Sequence, residues 1–387
     1  MPRKVGIVSI GYSTFTSIRR ETREKSEINY AAIKSALDNV RLSISDIDVS
    51  IYTSVDGFEG ANRIERLHPC YGQAFNTPVY SVNTGGTGGA SAVKEAYDLI
   101  AAGIYDLALV FGGCTFGVIV DNQQILNTAM DPLLEKPIGP GAISIAAWYA
   151  SRYLQEYGWS EEELAHMAAQ SHKNAASNPS AHIRKGYSFS EVMASPMISW
   201  PIRLYEICPS SSGAACLIIA SEDKAREITS APVWLDVIGS NSDTFVSGYR
   251  PYNKFDILEN LAKRIYPKAG INDPRKDIDV VEIFNPFSIF ELLAYEALGF
   301  CERGKAPELV RNGVTAIDGE LPVNPSGGTL CTNSGIAASL TRIGEVALQL
   351  MGKAEGRQVK NHPRVGMATA WGGSDGQFHT IAILSRD

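Results

Sequence analysis

The sequence predicts an α/β protein in which strand and helix alternate through two similar halves, with largely parallel sheets. Three observations carry this. Short apolar runs rich in Val and Ile alternate with longer stretches whose apolar residues recur at helical spacing. One run meets such a helix through a glycine-rich turn at Tyr80–Gly89, YSVNTGGTGG. The second half repeats the same grammar, with its own turn at Asn324-Pro325-Ser326-Gly327-Gly328, which suggests an internal duplication.

The elements follow in order. Val5–Ile10 reads as a buried strand, Glu27–Val40 as a helix and Ile47–Ser54 as the second strand. Thr77–Val82 is the third strand and leads into the glycine turn. The next helix is marked by Ala92, Val93, Ala96, Leu99 and Ile100. Leu107–Gly112 is the fourth strand and Ala214–Ser221 the fifth. Between them, about 117–205, two helical patterns (142–156 and 160–175) precede a segment rich in Asn, Pro and Ser. This reads as a cap inserted between strands. The second half offers strands at Val233–Ser240, Val280–Phe284, Val365–Thr369 and His379–Leu384. Its helices are Asp256–Ala269, Phe287–Gly299 and Ala337–Met351. The expected division is 1–225 for the first half, cap included, and 226–387 for the second.

Composition narrows the function. A length of 387 residues suits two domains or a duplicated pair, and 44% hydrophobic with 20% charged residues is an ordinary globular balance. A net charge of −7 with no basic block argues against nucleic acid as the main partner. No apolar run is long enough to cross a bilayer, and Pro2-Arg3-Lys4-Val5 runs into a strand without a signal-peptide pattern, so a cytoplasmic protein is expected. The six cysteines (Cys70, Cys114, Cys208, Cys216, Cys301, Cys331) form no CxxC pair. With the six scattered histidines (His68, His166, His172, His182, His362, His379) they give no metal spacing, so no metal site is expected.

The glycine turn is the candidate for chemistry. At a helix N-terminus it presents backbone N–H groups and the positive end of the helix dipole, a setting for a phosphate, an oxyanion or a thiolate. The alternative is a tight βα turn in which glycine only supplies a positive φ.

The order of motifs resembles the thiolase superfamily, particularly the sterol-carrier-linked thiolases and the large subunits of benzoylsuccinyl-CoA-type thiolases. The resemblance rests on Ser171-His172-Lys173-Asn174-Ala175 with Asn178-Pro179, on Ser195-Pro196-Met197-Ile198, and on Cys208-Pro209 with Gly213-Ala214-Ala215. Glu291–Phe300, Asn324–Gly328 and Trp371-Gly372-Gly373 complete it. It implies a five-layer αβαβα fold from two pseudo-duplicated halves with an inserted cap, acting on an acyl-CoA thioester. CoA is then part of the substrate, and the chain binds no cofactor of its own.

The family's catalytic positions are not kept. The nucleophilic cysteine falls on Gly86, the histidine of the Gly-His-Pro loop near Asn333, and the second cysteine on Ala370. The Asn-Glu-Ala-Phe element reads Phe284-Asn285-Pro286-Phe287. Glycine has no nucleophile, and asparagine cannot take a proton from a thiol. What remains as candidate catalytic groups is Asn285 and Asn333 as amide donors, Cys331 as a displaced thiol, and His379 after the last glycine turn. Gly85, Gly86, Ser326, Gly327, Gly328, Gly372 and Gly373 are the candidate substrate-binding positions. Arg184 and Lys185 are candidates for the CoA phosphates, or else solvated surface charge.

Three readings stay open. The first is an enzyme making or breaking a carbon–carbon bond without an acyl-enzyme, like the thiolase-like retro-aldolases, with an oxyanion hole and a general base. The second is thiolytic acyl transfer with Cys331 as relocated nucleophile. The third is a non-catalytic subunit that binds acyl-CoA or scaffolds a partner. The resemblance also implies a homodimer and a small zinc-ribbon and OB-fold partner that helps close the acyl-CoA site, any zinc belonging to that partner.

Overall fold

The structure, a computed structural model, describes residues 2–54, 76–115 and 122–387. His68 and Cys70 lie outside the described residues, as does the beginning of the expected cap.

Twelve strands are described: β1 (Val5–Tyr12), β2 (Thr16–Ser17), β3 (Val49–Thr53), β4 (Val79–Val82), β5 (Leu107–Thr115), β6 (Met197–Ser199), β7 (Ile202–Arg203), β8 (Ser211–Ser221), β9 (Val233–Ser242), β10 (Val280–Glu282), β11 (Val365–Gly372) and β12 (Phe378–Ser385). The main order is β10-β11-β12-β9-β1-β8-β5-β3-β4, with β2 beside β8 and a separate β6–β7 ribbon. Two half-sheets meet where Gly6 and Ile7 pair with Trp234 and Val233. The first half runs β4-β3-β5-β8-β1 and the second β10-β11-β12-β9. The duplication is legible here: β10, β11, β12 and β9 take the places of β3, β5, β8 and β1. The second half's counterpart of β4 is reduced to a parallel bridge between Val281 and Val323.

The sheets are mixed rather than largely parallel. β3 is parallel to β4 and β5, and β10 to β11. β8 and β12 run antiparallel to their neighbours. Both return by routes other than a crossover helix: β8 follows the cap, and β12 follows the short turn at 373–377.

Three apolar clusters separate the layers. Outermost on the first half, α1 (Lys25–Asp38) presents Ile28, Ala32, Ile33, Ala36 and Leu37 to the β-sheet. In the middle, α2 (Gly88–Ala101) and α6 (Ala337–Met351) lie between the half-sheets, joining Val5, Ile51 and Leu217 to Ala368 and Leu384. A Cβ on Gly89 would stand 2.7 Å from the Leu340 nitrogen, so the two helices approach backbone to backbone there. On the outer face of the second half lie α3 (Ala142–Tyr157), α4 (Glu162–Ala175), the helix Asp256–Ile265 and α5 (Ser288–Ala297). The chain thus stacks as α, β, α, β, α. The cap helices α3 and α4 leave the chain between β5 and β8, yet Tyr149, Tyr153, Leu164 and Met167 pack with the second half's core.

Candidate active site

The two middle-layer helices begin at one place. The turn before α2 contributes Gly85 and Gly86, and the loop before α6 contributes Asn333, Gly335 and Ile336, to one cavity of about 400 Å³. Each helix N-terminus carries roughly half a positive charge, so the arrangement favours developing negative charge in the cavity. Gly372 and Gly373, at the end of β11, form the adjoining wall. The rest is chiefly apolar: Ile125, Leu126 and Met130 from the segment before α3, then Ile145, Phe284, Phe287, Phe290 and Trp371. Its shape suits an acyl chain ending at backbone amides.

The glycine turns are pressed together. A Cβ on Gly86 would lie 2.4 Å from the Trp371 carbonyl oxygen and 3.2 Å from the Gly372 Cα. A Cβ on Gly372 would lie 2.6 Å from the Gly86 nitrogen and 2.7 Å from the Thr87 nitrogen. Neither position has room for a side chain as the backbone stands. Gly85, at φ +59°, has a looser neighbour, the Gly373 nitrogen at 3.3 Å from its would-be Cβ.

Asn333 lines the cavity, and its environment fixes its amide. Its Oδ1 accepts from the Gly335 N–H (3.2 Å), so Nδ2 is the atom turned to the Cys208 Sγ at 3.0 Å. Its backbone is clamped by Ser211, through Asn333 N–H to Oγ (3.1 Å) and Ser211 N–H to the Asn333 carbonyl (2.9 Å).

Other candidates lie elsewhere. Asn285 is buried between two elements that wall the cavity but does not line it. Its Nδ2 donates to Glu291 Oε2 (2.5 Å) and its Oδ1 accepts from the Leu330 N–H (3.2 Å), so both ends of the amide are engaged in bracing. Ser326 donates to Glu282 Oε2 (2.7 Å) and accepts from Arg342 Nη1 (2.8 Å). Gly327 and Gly328, at φ +90° and +65°, close the same turn against Ala175 and Asn285. None of these three faces the cavity.

Cys331 is fully buried with Ala175 and Ala181, its Sγ 3.5 Å from His172 Nδ1. Burial pushes its thiol far up and the His172 imidazole down, so the pair rests neutral. Cys331 does not reach the cavity. His379 pairs across the sheet with Trp371, but lines a separate cavity of about 210 Å³ with Tyr249, Arg250 and Phe255. Burial, with Arg250 adding to it, pushes its imidazole down to about 3, so it stays neutral. Arg184 and Lys185 are exposed on the loop after α4, away from the cavity lining. Lys185 pairs with Glu191 at 3.4 Å and lies 4.6 Å from the Tyr187 ring centre.

Two cavity residues escaped the sequence reading. Cys208 stood inside a motif used for the resemblance, but only the fold brings it to Asn333. Asp375 sits between Gly373 and Gly376 and holds a left-handed φ of +48°, a conformation uncommon for a residue other than glycine. Its carbonyl accepts from Arg250 Nη1 (2.9 Å) and the Tyr149 hydroxyl (3.3 Å). Burial raises its carboxyl's pKa, while Ser247 and Arg250 counter the rise. A glycine-flanked acid in the last turn was the available signal. Among the described residues, no cluster of His, Cys, Asp and Glu has the makings of a metal site, and no helix is long and apolar enough to cross a membrane.

Comparison with known proteins bears on this geometry. Residues 5–186 match the thiolase N-terminal domain and residues 248–386 the thiolase C-terminal domain-like family. The acetyl-CoA acetyltransferase of Methanothermobacter thermautotrophicus is 34% identical over 314 residues, 80% of this chain and 81% of the relative. Sterol carrier protein 2 of Bos taurus is 29% identical over 92% of this chain and 68% of its own length. The benzoylsuccinyl-CoA thiolase subunit BbsB of Thauera aromatica is 26% identical over 96% of both chains. Among solved structures, the Ltp2-ChsH2(DUF35) aldolase superposes with a TM-score of 0.84 at 24% identity, covering 100% of this chain and 98% of that one.

Proposed function

This chain belongs to the thiolase family, and on that premise we propose that it cleaves or forms a carbon–carbon bond in an acyl-CoA thioester without an acyl-enzyme. The observation that carries the proposal is the closed contact between the glycine turns. The nucleophile position reads Gly86, and a Cβ there would meet the Trp371 carbonyl at 2.4 Å. A thiolase nucleophile needs a side chain where this protein has packed backbone.

A retro-aldol cleavage needs no such group. The substrate is a β-hydroxyacyl thioester. Backbone N–H groups of the two turns hold the thioester oxygen and favour the enolate as it forms. Two helix N-termini add to that field. A base takes the β-hydroxyl proton, the Cα–Cβ bond breaks, and a ketone or aldehyde leaves. Asp375 is the proposed base: it is the carboxylate on the cavity wall, and its raised pKa brings it towards the range useful for proton transfer. The apolar walls exclude water and receive the acyl and ketone parts.

Partners follow from the same reading. The Ltp2-ChsH2(DUF35) aldolase joins a chain of this fold to a DUF35 protein, and BbsB is a thiolase subunit. A small acyl-CoA-binding partner of the zinc-ribbon and OB-fold kind is proposed here too. Its contact would be the segment before α3, which walls the cavity and leaves Leu133, Leu134 and Ile138 exposed at 82%, 57% and 71%. A homodimer through β4, the edge strand among the described residues, and a cytoplasmic setting complete the proposal.

The test is intact-mass spectrometry after incubation with acetyl-CoA, followed by assay with β-hydroxyacyl-CoA thioesters, with and without a partner. No mass increase and release of a carbonyl compound are expected. An acyl adduct on the native chain overturns the reading. Binding without any turnover leaves the chain as a non-catalytic subunit.

A further inference from the structure

We propose that Cys208 is the group that exchanges a proton with the α-carbon of the bound thioester, with Asn333 positioning its sulfur. The inference deepens the aldolase reading and rests on it for the identity of the thioester. Among the described cysteines, Cys208 alone lines the acyl cavity; Cys114, Cys216, Cys301 and Cys331 do not. The cavity that holds it also holds both glycine turns, so the sulfur shares a chamber with the place proposed for the thioester oxygen.

Its placement is built, not incidental. The Cys208 N–H donates to the Pro286 carbonyl at 2.9 Å, tying it to the Phe284–Phe287 wall. The Asn333 side-chain amide is oriented by the Gly335 N–H while Ser211 clamps its backbone, and its Nδ2 donates to the sulfur at 3.0 Å. An N–H aimed at sulfur stabilises the thiolate that proton donation leaves behind. At rest the group is a thiol: burial pushes it up to about 11, against the pull of the Asn333 hydrogen bond. About one molecule in 10⁴ is then thiolate at pH 7. Such a group is a poor resting nucleophile but a suitable acid towards an enolate carbon.

The protons balance. Asp375 accepts the β-hydroxyl proton as the Cα–Cβ electron pair passes into the enolate. The Cys208 S–H bond then breaks, a new C–H bond forms at Cα, and the negative charge moves to sulfur beside the Asn333 N–H. As the products leave, solvent carries the proton held by Asp375 to the thiolate. In the reverse direction the thiolate removes the α-proton. No oxidant or other co-reactant enters.

The experiment follows exchange of α-hydrogens of propanoyl-CoA in deuterium oxide, by mass spectrometry of the thioester. The native chain is expected to exchange them. Cys208→Ala should slow exchange by about 10² or more, the usual share of a general acid–base group, while Cys331→Ala leaves it within twofold. Cys208→Ser, nearly isosteric, guards against misfolding and should also be slow, with an unchanged circular dichroism spectrum. Asn333→Ala should lower the exchange rate constant about tenfold at an unchanged KM, the worth of one hydrogen bond; an unchanged rate removes Asn333 from the proposal. Exchange retained in both Cys208 variants, no exchange by the native chain, or an acyl group found on Cys208 would each overturn the assignment. Retained exchange in the variants leaves the aldolase reading standing. Exchange that depends on Cys208 in a chain that never cleaves β-hydroxyacyl-CoA sinks the aldolase reading and keeps the sulfur's role.

Discussion

At the scale of single residues, the most informative positions are those without side chains. Gly86 lies against the Trp371 carbonyl, and backbone cannot yield as a flexible side chain can. Gly86→Ala should therefore cost about 1–3 kcal/mol, the range for overpacking a well-packed site, read as a shift in urea midpoint. Gly86→Cys should cost at least as much and form no acyl adduct; a stable Gly86→Cys protein that acylates would show that the chemistry was lost by one substitution alone. Gly85→Ala brings a Cβ to 3.3 Å from the Gly373 nitrogen, a tight contact but not a closed one, and its cost should come chiefly from the left-handed φ, about 1–2 kcal/mol. The missing nucleophile could be read from the chain because it is a single position inside a local motif. Cys208 could not, because its role depends on Asn333, 125 residues away. Cys331 sat on the right loop in sequence, but its side chain points into a small buried cluster with Ala175 and Ala181. Local spacing shows which loop a residue is on, not which side of that loop faces the cavity.

At the scale of elements, the inserted cap was legible as an interruption and as two helices, since the periodicity of 142–156 and 160–175 matches α3 and α4 closely. What the periodicity could not say is where those apolar faces go; they complete the core of the other half. The antiparallel course of β8 and β12 was likewise hidden, because a buried strand reads the same in either direction. The cap holds a pH-sensitive feature of its own. Glu206, on the short turn after β7, is fully buried; its Oε2 accepts from the Arg203 N–H at 2.9 Å, and its Oε1 has no hydrogen-bond partner among the described residues. Burial pushes its carboxyl up from 4.5 to about 8, against the pull of Arg203. The folded chain therefore keeps a proton that the unfolded chain has lost, so the unfolded state binds fewer protons between these values. Stability is highest below about pH 4.5 from this group and falls as pH rises towards 8, by about 1.4 kcal/mol per unit. Glu282 and Glu291 are raised as well, to about 7, so Glu206's share is read as the difference between the native chain and its own variant from pH 7 to 8. Glu206→Gln should flatten the stability curve there. An equally steep decline in the variant would place the effect elsewhere.

At the scale of the whole molecule, the middle layer decides how the halves behave. Two halves that merely touched would unfold separately, as domains with small polar interfaces do. Here the central cluster is common property: Leu340 and Ile343 from α6 pack with Ala92 and Val93 from α2, between Leu217 of one half-sheet and Leu384 of the other. The same two helices deliver their N-termini to the cavity, so the layer that joins the halves also builds the site. Leu340 is fully buried at that joint. Leu340→Ala should lower stability by about 2–5 kcal/mol. More tellingly, it should do so without splitting the unfolding curve. Trp234, on β9 of the second half, packs its ring into the outer cluster of the first half, and Trp371 stands on the cavity wall of the second, so tryptophan fluorescence senses packing in both halves. Far-UV circular dichroism follows the helices. Coincident transitions by the two probes, in the native chain and in Leu340→Ala, are the signature of one cooperative unit. A fluorescence change that precedes the loss of ellipticity would mean that the halves part first. The cavity would then lie on a surface able to open, and the closed contact between Gly86 and Trp371 would no longer bar a side chain at that position.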